Sequence, residues 1–451
     1  MKQPHENSSK RRRAAKRRRA VRRKRILKGL LNGILAAVVL SVILLACGLF
    51  FTSRDAADVH PTAHPTAGAP EQTPSPSRAP DPTATAAPTV TVAPTVTPEP
   101  TPALRSARFR VTGDLMASES ILKYAASAAG GDGYDFSPMF ALVQDALENA
   151  DYTMGNLETT IGRYKELEYS GYPMFNTPES YLAALQGAGY DFLTLANNHM
   201  LDRYFDGMKN TVDNVERQGF DFCGAYRTAQ ERESAKIVEI NGIRFGFLSY
   251  TQDTNGMEGY CDAAATEFGV PYLFRSDFSA DIARLRRAGA EVVIVFPHWG
   301  EEYGRQPDAT ERQYAQKLAE AGADIILASH PHVLQKTDTL TVTDGDGSER
   351  SVFVAYSLGN FVATQERPYT DTGVILDFTV QEQSDGTFIV TDAGCIPTYC
   401  WRHDGTLAVV PSSQYLDQRP EGMSDSAYKR MRASYDETLQ LFGDTLTVLT
   451  K

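Results

Sequence analysis

The stretch "SHPHVLQ", residues 329 to 335, places two histidines two residues apart, directly after an apolar run. The chain has eight histidines, and four of them fall in the N-terminal tail, a spacer or a late loop. Each of the other four follows a short apolar run: His199, His298, His330 and His332. Neutral imidazole suits a borderline divalent ion such as Mn, Fe or Zn. The placement of these histidines therefore indicates a metal site.

Oxygen donors follow apolar runs in the same way. Five of them are Asp114, Asn156, Glu158, Asn197 and Asn198. Taken alone, Asp114 could be a turn or helix-cap residue, and His298 a hydrogen-bonded histidine at a sheet edge, but their joint placement favours metal ligands. The set exceeds what one ion needs, whereas two ions that share a bridging carboxylate would use all of it.

From residue 107 onward, short apolar runs alternate with amphipathic stretches, which predicts an α/β fold with a substantial sheet. The predicted strands are 108–113, 151–156, 191–197, 243–250, 291–297, 324–329, 351–358 and 373–380. Helices are predicted in "PESYLAALQGAG", in "TERQYAQKLAEAG" and over 425–445, and "TVTDGDGSERSVFV" is typical of a hairpin. Because ligands of open α/β sheets bind beyond the carboxyl ends of the strands, the donor residues should meet there.

The N-terminal region has the pattern of a membrane anchor. Residues 1–28 hold fourteen Lys or Arg and one acid, and residues 29–51 are uncharged and apolar, which exceeds the ~20 residues needed to cross a bilayer. The charge distribution predicts a single-pass protein of the cell membrane, with a cytoplasmic tail and an extracytoplasmic remainder. Lipoprotein processing at Cys47 is the alternative. The basic cluster is interpreted as a topology signal that also binds anionic lipid, and no nucleic-acid partner is expected.

Residues 52–106 are rich in Pro, Thr and Ala, which predicts a disordered, extended linker before a folded domain over 107–451. Beyond residue 28 the chain carries a net charge of −24. Four cysteines lie in the predicted domain: Cys223, Cys261, Cys395 and Cys400. None has CxxC spacing, and an extracytoplasmic location permits one or two disulfides whose pairing the sequence leaves open.

Six motifs occur in order along the domain: "GDLM" at 113, "GNLET" at 155, "LANNHMLD" at 195, "PHWGEEY" at 297, "SHPHVLQ" at 329 and "YSLGNF" at 356. Through them the chain, over about residues 107–400, resembles the CapA family of poly-γ-glutamate capsule synthesis proteins, a branch of the calcineurin-like metallophosphoesterase superfamily. The resemblance implies a four-layer α/β/β/α sandwich, with two sheets flanked by helices and two divalent ions at the sheet ends.

The resemblance also implies roles for single residues. The implied metal ligands are Asp114, Glu158, Asn198, His298, His330 and His332, with Glu158 in the place of the usual bridging aspartate. His332 would serve the first metal and His298 and His330 the second. His199 is the implied catalytic histidine, with Asp202 as the second catalytic residue. One position departs from the superfamily's Asp-x-His motif, because Met116 stands where the histidine is usual.

Further residues are expected to orient these groups: Asn156, Asn197, Glu301, Glu302 and Asn360. Glu301 and Glu302 would orient His298. The "LGNF" sequence either brings Asn360 to the site or forms a tight turn that closes the core.

The resemblance implies a membrane-anchored, extracytoplasmic metal-dependent hydrolase in the synthesis, export or processing of poly-γ-glutamate or a related envelope polymer. The bond cleaved stays open between a phosphoester and a γ-glutamyl amide, because both reactions develop charge on oxygen. Expected partners are the membrane, an anionic polymer or phosphoester substrate, and a membrane-bound polymer synthase complex. The alternative is a non-catalytic accessory subunit that binds metal or polymer, which the missing motif-one histidine favours.

Overall fold

The computed structural model describes residues 103–163, 168–403 and 405–450, all within one structural unit, Thr97–Lys451. The predicted cytoplasmic tail, the transmembrane helix at 29–51 and nearly all of the linker lie outside the described residues. Within the described ranges, no helix is both long enough and apolar enough to span a bilayer.

The described residues form fifteen strands in two sheets. In chain order the strands are β1 Ser106–Leu115, β2 Tyr152–Leu157, β3 Phe192–Thr194, β4 Asp221–Cys223, β5 Ile237–Ile240, β6 Ile243–Thr251, β7 Val292–His298, β8 Ile325–Leu327, β9 Thr337–Thr343, β10 Glu349–Ala355, β11 Asn360–Val362, β12 Thr372–Glu382, β13 Phe388–Trp401, β14 Ala408–Pro411 and β15 Thr447–Val448.

The α-helices of the same ranges are α1 Glu119–Ala128, α2 Gln144–Glu148, α3 Ser180–Gly187, α4 Tyr204–Gln218, α5 Ala229–Glu233, α6 Ala263–Gly269, α7 Phe278–Arg287, α8 Ala309–Glu320 and α9 Asp425–Phe442. Helix α8 begins with a full capping box, in which Asp308 and Glu311 each accept a hydrogen bond from the other's backbone amide.

The larger sheet has the strand order β14-β13-β12-β1-β2-β3-β4, with β11 beside β1 and β15 beside β13. Strands β1, β2 and β3 are parallel, so their carboxyl ends meet at one edge. The smaller sheet has the order β5-β6-β7-β8-β10-β9, and β6, β7, β8 and β10 are parallel. The carboxyl ends of β7 and β8 therefore also meet at one edge.

Apolar side chains fill the space between the two sheets. Phe109 of β1 stacks on Phe378 of β12 and meets Phe245 of β6 edge to face, with ring centroids 5.4 and 4.9 Å apart. Side chains of α1, α3 and α4 pack in a second cluster with the larger sheet, and those of α7 and α8 in a third with the smaller sheet. The expectation of a mixed α/β fold with two sheets is confirmed.

Each of the eight predicted strands, the β9–β10 hairpin and the three predicted helices is present. Strand β3 is shorter than the predicted 191–197, because the strand ends at Thr194. Strand β13 was not predicted, although it pairs with both β12 and β14. It contains Gly394 and Pro397, which usually interrupt strands.

The four cysteines of the described residues are free, so the one or two disulfides that the sequence permits are not formed. Cys223 in β4 and Cys395 in β13 lie on strands separated by four others, hence about 24 Å apart at ~4.8 Å per strand. A disulfide requires Cα atoms within about 7 Å. Cys400 is buried and lies with its Sγ 3.0 Å from the carbonyl oxygen of Ala363.

A buried ion pair joins β1 to β12. The Arg110 guanidinium is fully buried and its Nε donates to Asp377 Oδ2 at 2.6 Å. Substituting Asp377→Asn leaves this cation without its counter-charge and should lower the free energy of unfolding by about 3–5 kcal/mol. Asp338→Asn is the matched control, because its partner Lys336 is 38% exposed and the expected loss is below about 1 kcal/mol. Urea denaturation measures both, and equal losses would contradict the expectation.

Candidate metal centre

The carboxyl end of β1 sets the position of the first donor. Asp114 is fully buried, and its backbone amide donates to the carbonyl oxygen of Gly359 at 2.9 Å. The residue before it must be glycine, because a Cβ atom at Gly113 would lie 1.8 Å from that same oxygen. The "GDLM" and "LGNF" motifs therefore meet, and their contact aims the Asp114 carboxylate into the site.

Three predicted ligands form a first group, in which donor atoms of Asp114, Glu158 and His332 lie within 4.8 Å of one another. His332 Nδ1 lies 3.0 Å from Asp114 Oδ2 and 3.1 Å from Asn360 Oδ1. Both partners are acceptors, so the ring proton belongs on Nδ1. His332 Nε2 is then left with a lone pair for a metal ion, on the side that faces Glu158.

Three further predicted ligands form a second group around the ring of His298. Its Nε2 atom lies 3.0 Å from Asn198 Oδ1 and 3.1 Å from His330 Nδ1. Two ligand atoms that each lie about 2.1 Å from a shared ion are about 3 to 4 Å apart. The spacing of this group therefore suits a single ion.

Glu158 lies between the two groups. Its Oε1 atom is 3.8 Å from His298 Nε2 and 3.8 Å from His332 Nε2, which is the position that a bridging carboxylate requires. The side chain is 0% exposed, and neither carboxylate oxygen has a hydrogen-bond partner among the described residues. A buried carboxylate without partners is costly unless a cation or a proton neutralises it. The residues present thus fit divalent ions.

The electrostatics of the site follow from its burial. Burial, and then the charge of Asp114, raise the pKa of Glu158 well above its usual value. Burial lowers the pKa of His298 well below its usual value and that of His330 to about 4, and the neighbouring imidazoles add to both shifts. Both imidazoles are therefore neutral at pH 7, as ligands must be.

The loop with the two adjacent histidines has an unusual backbone. His330 and His332 have φ angles of +103° and +58°, values that non-glycine residues adopt at a cost of about 1–3 kcal/mol each. Pro331 between them restricts the chain further. This conformation turns the two rings toward different groups, His330 to His298 and His332 to Asp114.

The two predicted catalytic residues form a hydrogen-bonded pair beside the second group. His199 directly follows Asn198, and its Nδ1 lies 2.8 Å from Asp202 Oδ2. The same oxygen accepts a hydrogen bond from the Phe175 amide at 2.6 Å, and the Phe175 ring meets the His199 ring edge to face at 4.6 Å. The motifs did not identify Phe175, which lies in a loop without any periodic pattern.

Two of the residues predicted to orient the ligands contact them. Asn156 donates to Asp114 Oδ1 at 2.8 Å and lies 3.3 Å from His298 Nδ1, and so links the two groups. It is held in turn by Thr194, which was not predicted and donates to Asn156 Oδ1 at 3.2 Å. Asn360 contacts His332 as described, so "LGNF" both turns the chain, with Gly359 at φ +63°, and supplies a side chain to the site.

The other three orienting candidates have different surroundings. Asn197 braces the backbone: it donates to the carbonyl oxygen of Leu157 at 2.8 Å and accepts from the His199 amide at 3.1 Å. Glu301 and Glu302 are exposed. Among the described residues, the hydrogen bonds of the His298 ring go to an amide or imidazole, not to these two carboxylates. Trp299 and Gly300, which follow β7, are buried, and the chain reaches the surface at Glu301 and Glu302.

Met116 stands at the position where the resemblance described above implies a histidine. Its side chain is 4% exposed and packs in an apolar cluster with Phe175 and Ala363. An apolar contact near the first group thus replaces an imidazole.

These features define an α/β protein of two sheets with a candidate two-ion centre at the strand ends. Residues 108–365 match the family described as "Bacterial capsule synthesis protein PGA_cap", and the chain belongs to that family. Relatives include "PGA biosynthesis protein CapA" of Bacillus subtilis (29% identity; 56% of this chain, 64% of the relative) and "Capsule biosynthesis protein CapA" of Bacillus anthracis (27%; 57% and 61%). The chain thus spans under two thirds of each relative's length.

The calcineurin-like phosphoesterase YfkN from Bacillus subtilis aligns with a TM-score of 0.39 and 15% identity, over 75% of this chain and 99% of that one.

The buried carboxylate of Glu158 makes the stability of the metal-free protein depend on pH. Since the pKa of Glu158 is raised in the folded state, folding is favoured below the unfolded pKa of about 4.3, and this stabilisation is lost as pH rises through the folded pKa. Glu158→Gln has no such loss. The free energy of unfolding of the variant relative to wild type should therefore increase with pH, by at most about 1.4 kcal/mol per pH unit.

Urea denaturation in the presence of a chelator, at several pH values from about 5 to 8, measures this difference. Glu421→Gln serves as the control, because the Glu421 side chain is exposed and its charge is not among those that raise the pKa of Glu158. A difference between Glu158→Gln and wild type that stays constant with pH would contradict the expectation.

Proposed function

We propose that this protein is a membrane-anchored, extracytoplasmic metal-dependent hydrolase of phosphoesterase type that acts on poly-γ-glutamate or a related envelope polymer. One observation carries the proposal: the buried Glu158 carboxylate, which accepts no hydrogen bond from the described residues, lies 3.8 Å from an imidazole of each donor group, beside the His199–Asp202 pair. A site that only stabilised the fold would be expected to satisfy such a carboxylate with protein donors.

The proposed ligands divide into two sets that share Glu158. Asp114 and His332 would hold one divalent ion, and Asn198, His298 and His330 the other. Divalent ions such as Mn, Fe or Zn supply Lewis acidity, which polarises a phosphoryl or carbonyl oxygen and activates water. Asn156 would fix the position of one ligand set relative to the other, because it contacts both Asp114 and His298.

His199 is the proposed general acid. Its Nδ1 faces Asp202, so the hydrogen bond fixes the ring orientation and leaves Nε2 to exchange a proton with the leaving group. Phe175 packs against the ring and limits its rotation.

The biological setting is proposed from the family. The names of the two relatives refer to PGA biosynthesis and capsule biosynthesis, which supports an envelope polymer as the substrate. The apolar stretch at 29–51 supports membrane anchoring, and the linker would hold the domain outside the membrane, next to a polymer synthase complex.

A second candidate function is a non-catalytic accessory subunit that binds metal or polymer in a capsule synthesis or export complex. The burial of Met116 against Phe175 favours it, since the first group then lacks an imidazole that the superfamily's pattern includes.

Metal content is the first test. The full chain, purified in detergent, should bind about two divalent ions per chain. His330→Ala and His332→Ala should each lose an ion and lower turnover of a phosphodiester or a γ-glutamyl oligomer by at least about 10-fold. His403→Ala is the control, because that histidine lies in a late loop outside both groups. Absence of bound metal in the wild-type protein would sink the hydrolase proposal.

Replacing the proposed general acid separates the two candidate functions. His199→Gln should keep both ions, because the ring of His199 belongs to neither donor group, and should lower kcat by about 10²–10⁴-fold. Elemental analysis and turnover on the same sample measure the two effects. An accessory subunit would instead retain full complementation of polymer production in cells when His199 is replaced.

A further inference from the structure

Two chain segments border the candidate metal centre, and the first is residues 301–305, which follows β7. The backbone amide of Tyr303 donates to the carbonyl oxygen of Pro331 at 2.8 Å. The Tyr303 ring centroid lies 6.2 Å from that of His332. This segment therefore lies directly on the loop that carries the two adjacent histidines.

The second segment, residues 365–370, follows β11. Asn360, which contacts His332, donates through its Nδ2 to Gln365 Oε1 at 2.9 Å and to the carbonyl oxygen of Thr370 at 3.0 Å. Both ends of the segment are thus attached to a residue of the metal centre.

Each segment carries an arginine that lies over a tyrosine of the other. The Arg367 guanidinium carbon is 5.5 Å from the Tyr303 ring centroid, and that of Arg305 is 3.9 Å from the Tyr369 centroid. Both tyrosines have positive φ angles, +69° and +70°. A left-handed backbone at a non-glycine residue persists only where surrounding contacts stabilise it. The crossed arginine–tyrosine pairs are therefore fixed by the structure around them.

The donors of both guanidinium groups remain available. Within the described residues, the side chains of Arg305 and Arg367 form no ion pair within 4.0 Å and no hydrogen bond. By contrast, Arg232, which also lies over a tyrosine, donates to Asp281 at 2.8 and 3.2 Å. A guanidinium that rests its face on a ring keeps its edge free for a planar anion, which it can bind bidentately.

The charge around this pair is otherwise unfavourable for an anion. The chain beyond residue 28 has a net charge of −24, and Glu302 and Glu366 are exposed in the same two segments. An anionic polymer is therefore repelled at long range and needs local cations near the reacting bond. Arg305, partly exposed, and Arg367, exposed, are two such cations at the border of the metal centre.

We propose that Arg305 and Arg367 form an anion-binding subsite that takes carboxylate groups of a polymer chain next to the bond held at the metal centre. The identity of the polymer as substrate rests on the proposed function, but binding at the arginine pair does not require turnover. Tyr303 and Tyr369 support the subsite by holding each guanidinium face.

The test is equilibrium binding of a fluorescent γ-linked glutamate oligomer to the full chain in detergent, followed by anisotropy. The double variant Arg305→Gln/Arg367→Gln should raise Kd about tenfold or more, since each bidentate contact to a charged group is lost. Arg432→Gln is the matched control, because this arginine of α9 also lies over a tyrosine, Tyr428. The Kd of this variant for the oligomer should stay within about twofold of the wild-type value.

Unchanged binding by the double variant, or no binding by wild type, would overturn the proposal. If the double variant fails to fold, Arg367→Gln alone tests it, because that side chain is exposed. Competition by glutarate should exceed competition by inorganic phosphate, and the reverse order would overturn the assignment to carboxylates. A wild-type protein that binds the oligomer through this pair but has no hydrolytic activity would contradict the proposed function and support the subsite.

Discussion

The burial of the Glu158 carboxylate is the constraint on which the rest of the site depends. A charge removed from water costs several kcal/mol unless an opposite charge accompanies it. Of the two imidazoles that lie 3.8 Å from Glu158, that of His298 cannot fill that role, because its lowered pKa keeps it neutral. A cation or a proton must therefore accompany the carboxylate. The two groups of donors provide two places where a cation would lie next to it.

The two sheets contribute different chemistry to this place. The proposed metal ligands that follow strands of the larger sheet are carboxylates and an amide, such as Asp114 and Asn198, whereas β7 and the chain after β8 provide imidazoles. The backbone allows this close approach: Gly113 of β1 leaves room for the carbonyl group of Gly359, and left-handed residues turn the histidine loop. These local backbone conformations bring donor groups from both sheets into one polar cluster.

Much of this arrangement could be predicted from the sequence, because donors that follow apolar runs mark the ends of parallel strands. That reasoning placed Asp114, Glu158 and His332 together. It failed where position depends on loop conformation. Glu301 stands three residues after His298, yet the chain turns outward there, and the crossed pairs of Arg305 and Arg367 depend on left-handed tyrosines that no periodic pattern encodes.

The proposed ligands come from both sheets, so each bound ion would be a non-covalent cross-link between them. A change that shifts one sheet against the other would alter the distances between ligands and lower the affinity for metal. A smaller side chain at position 109, where Phe109 lies in the core between the sheets, is one such change. Conversely, an ion at a thousandfold excess over its Kd stabilises the folded state by about 4 kcal/mol. The supply of divalent ions would then govern how long the domain survives proteolysis.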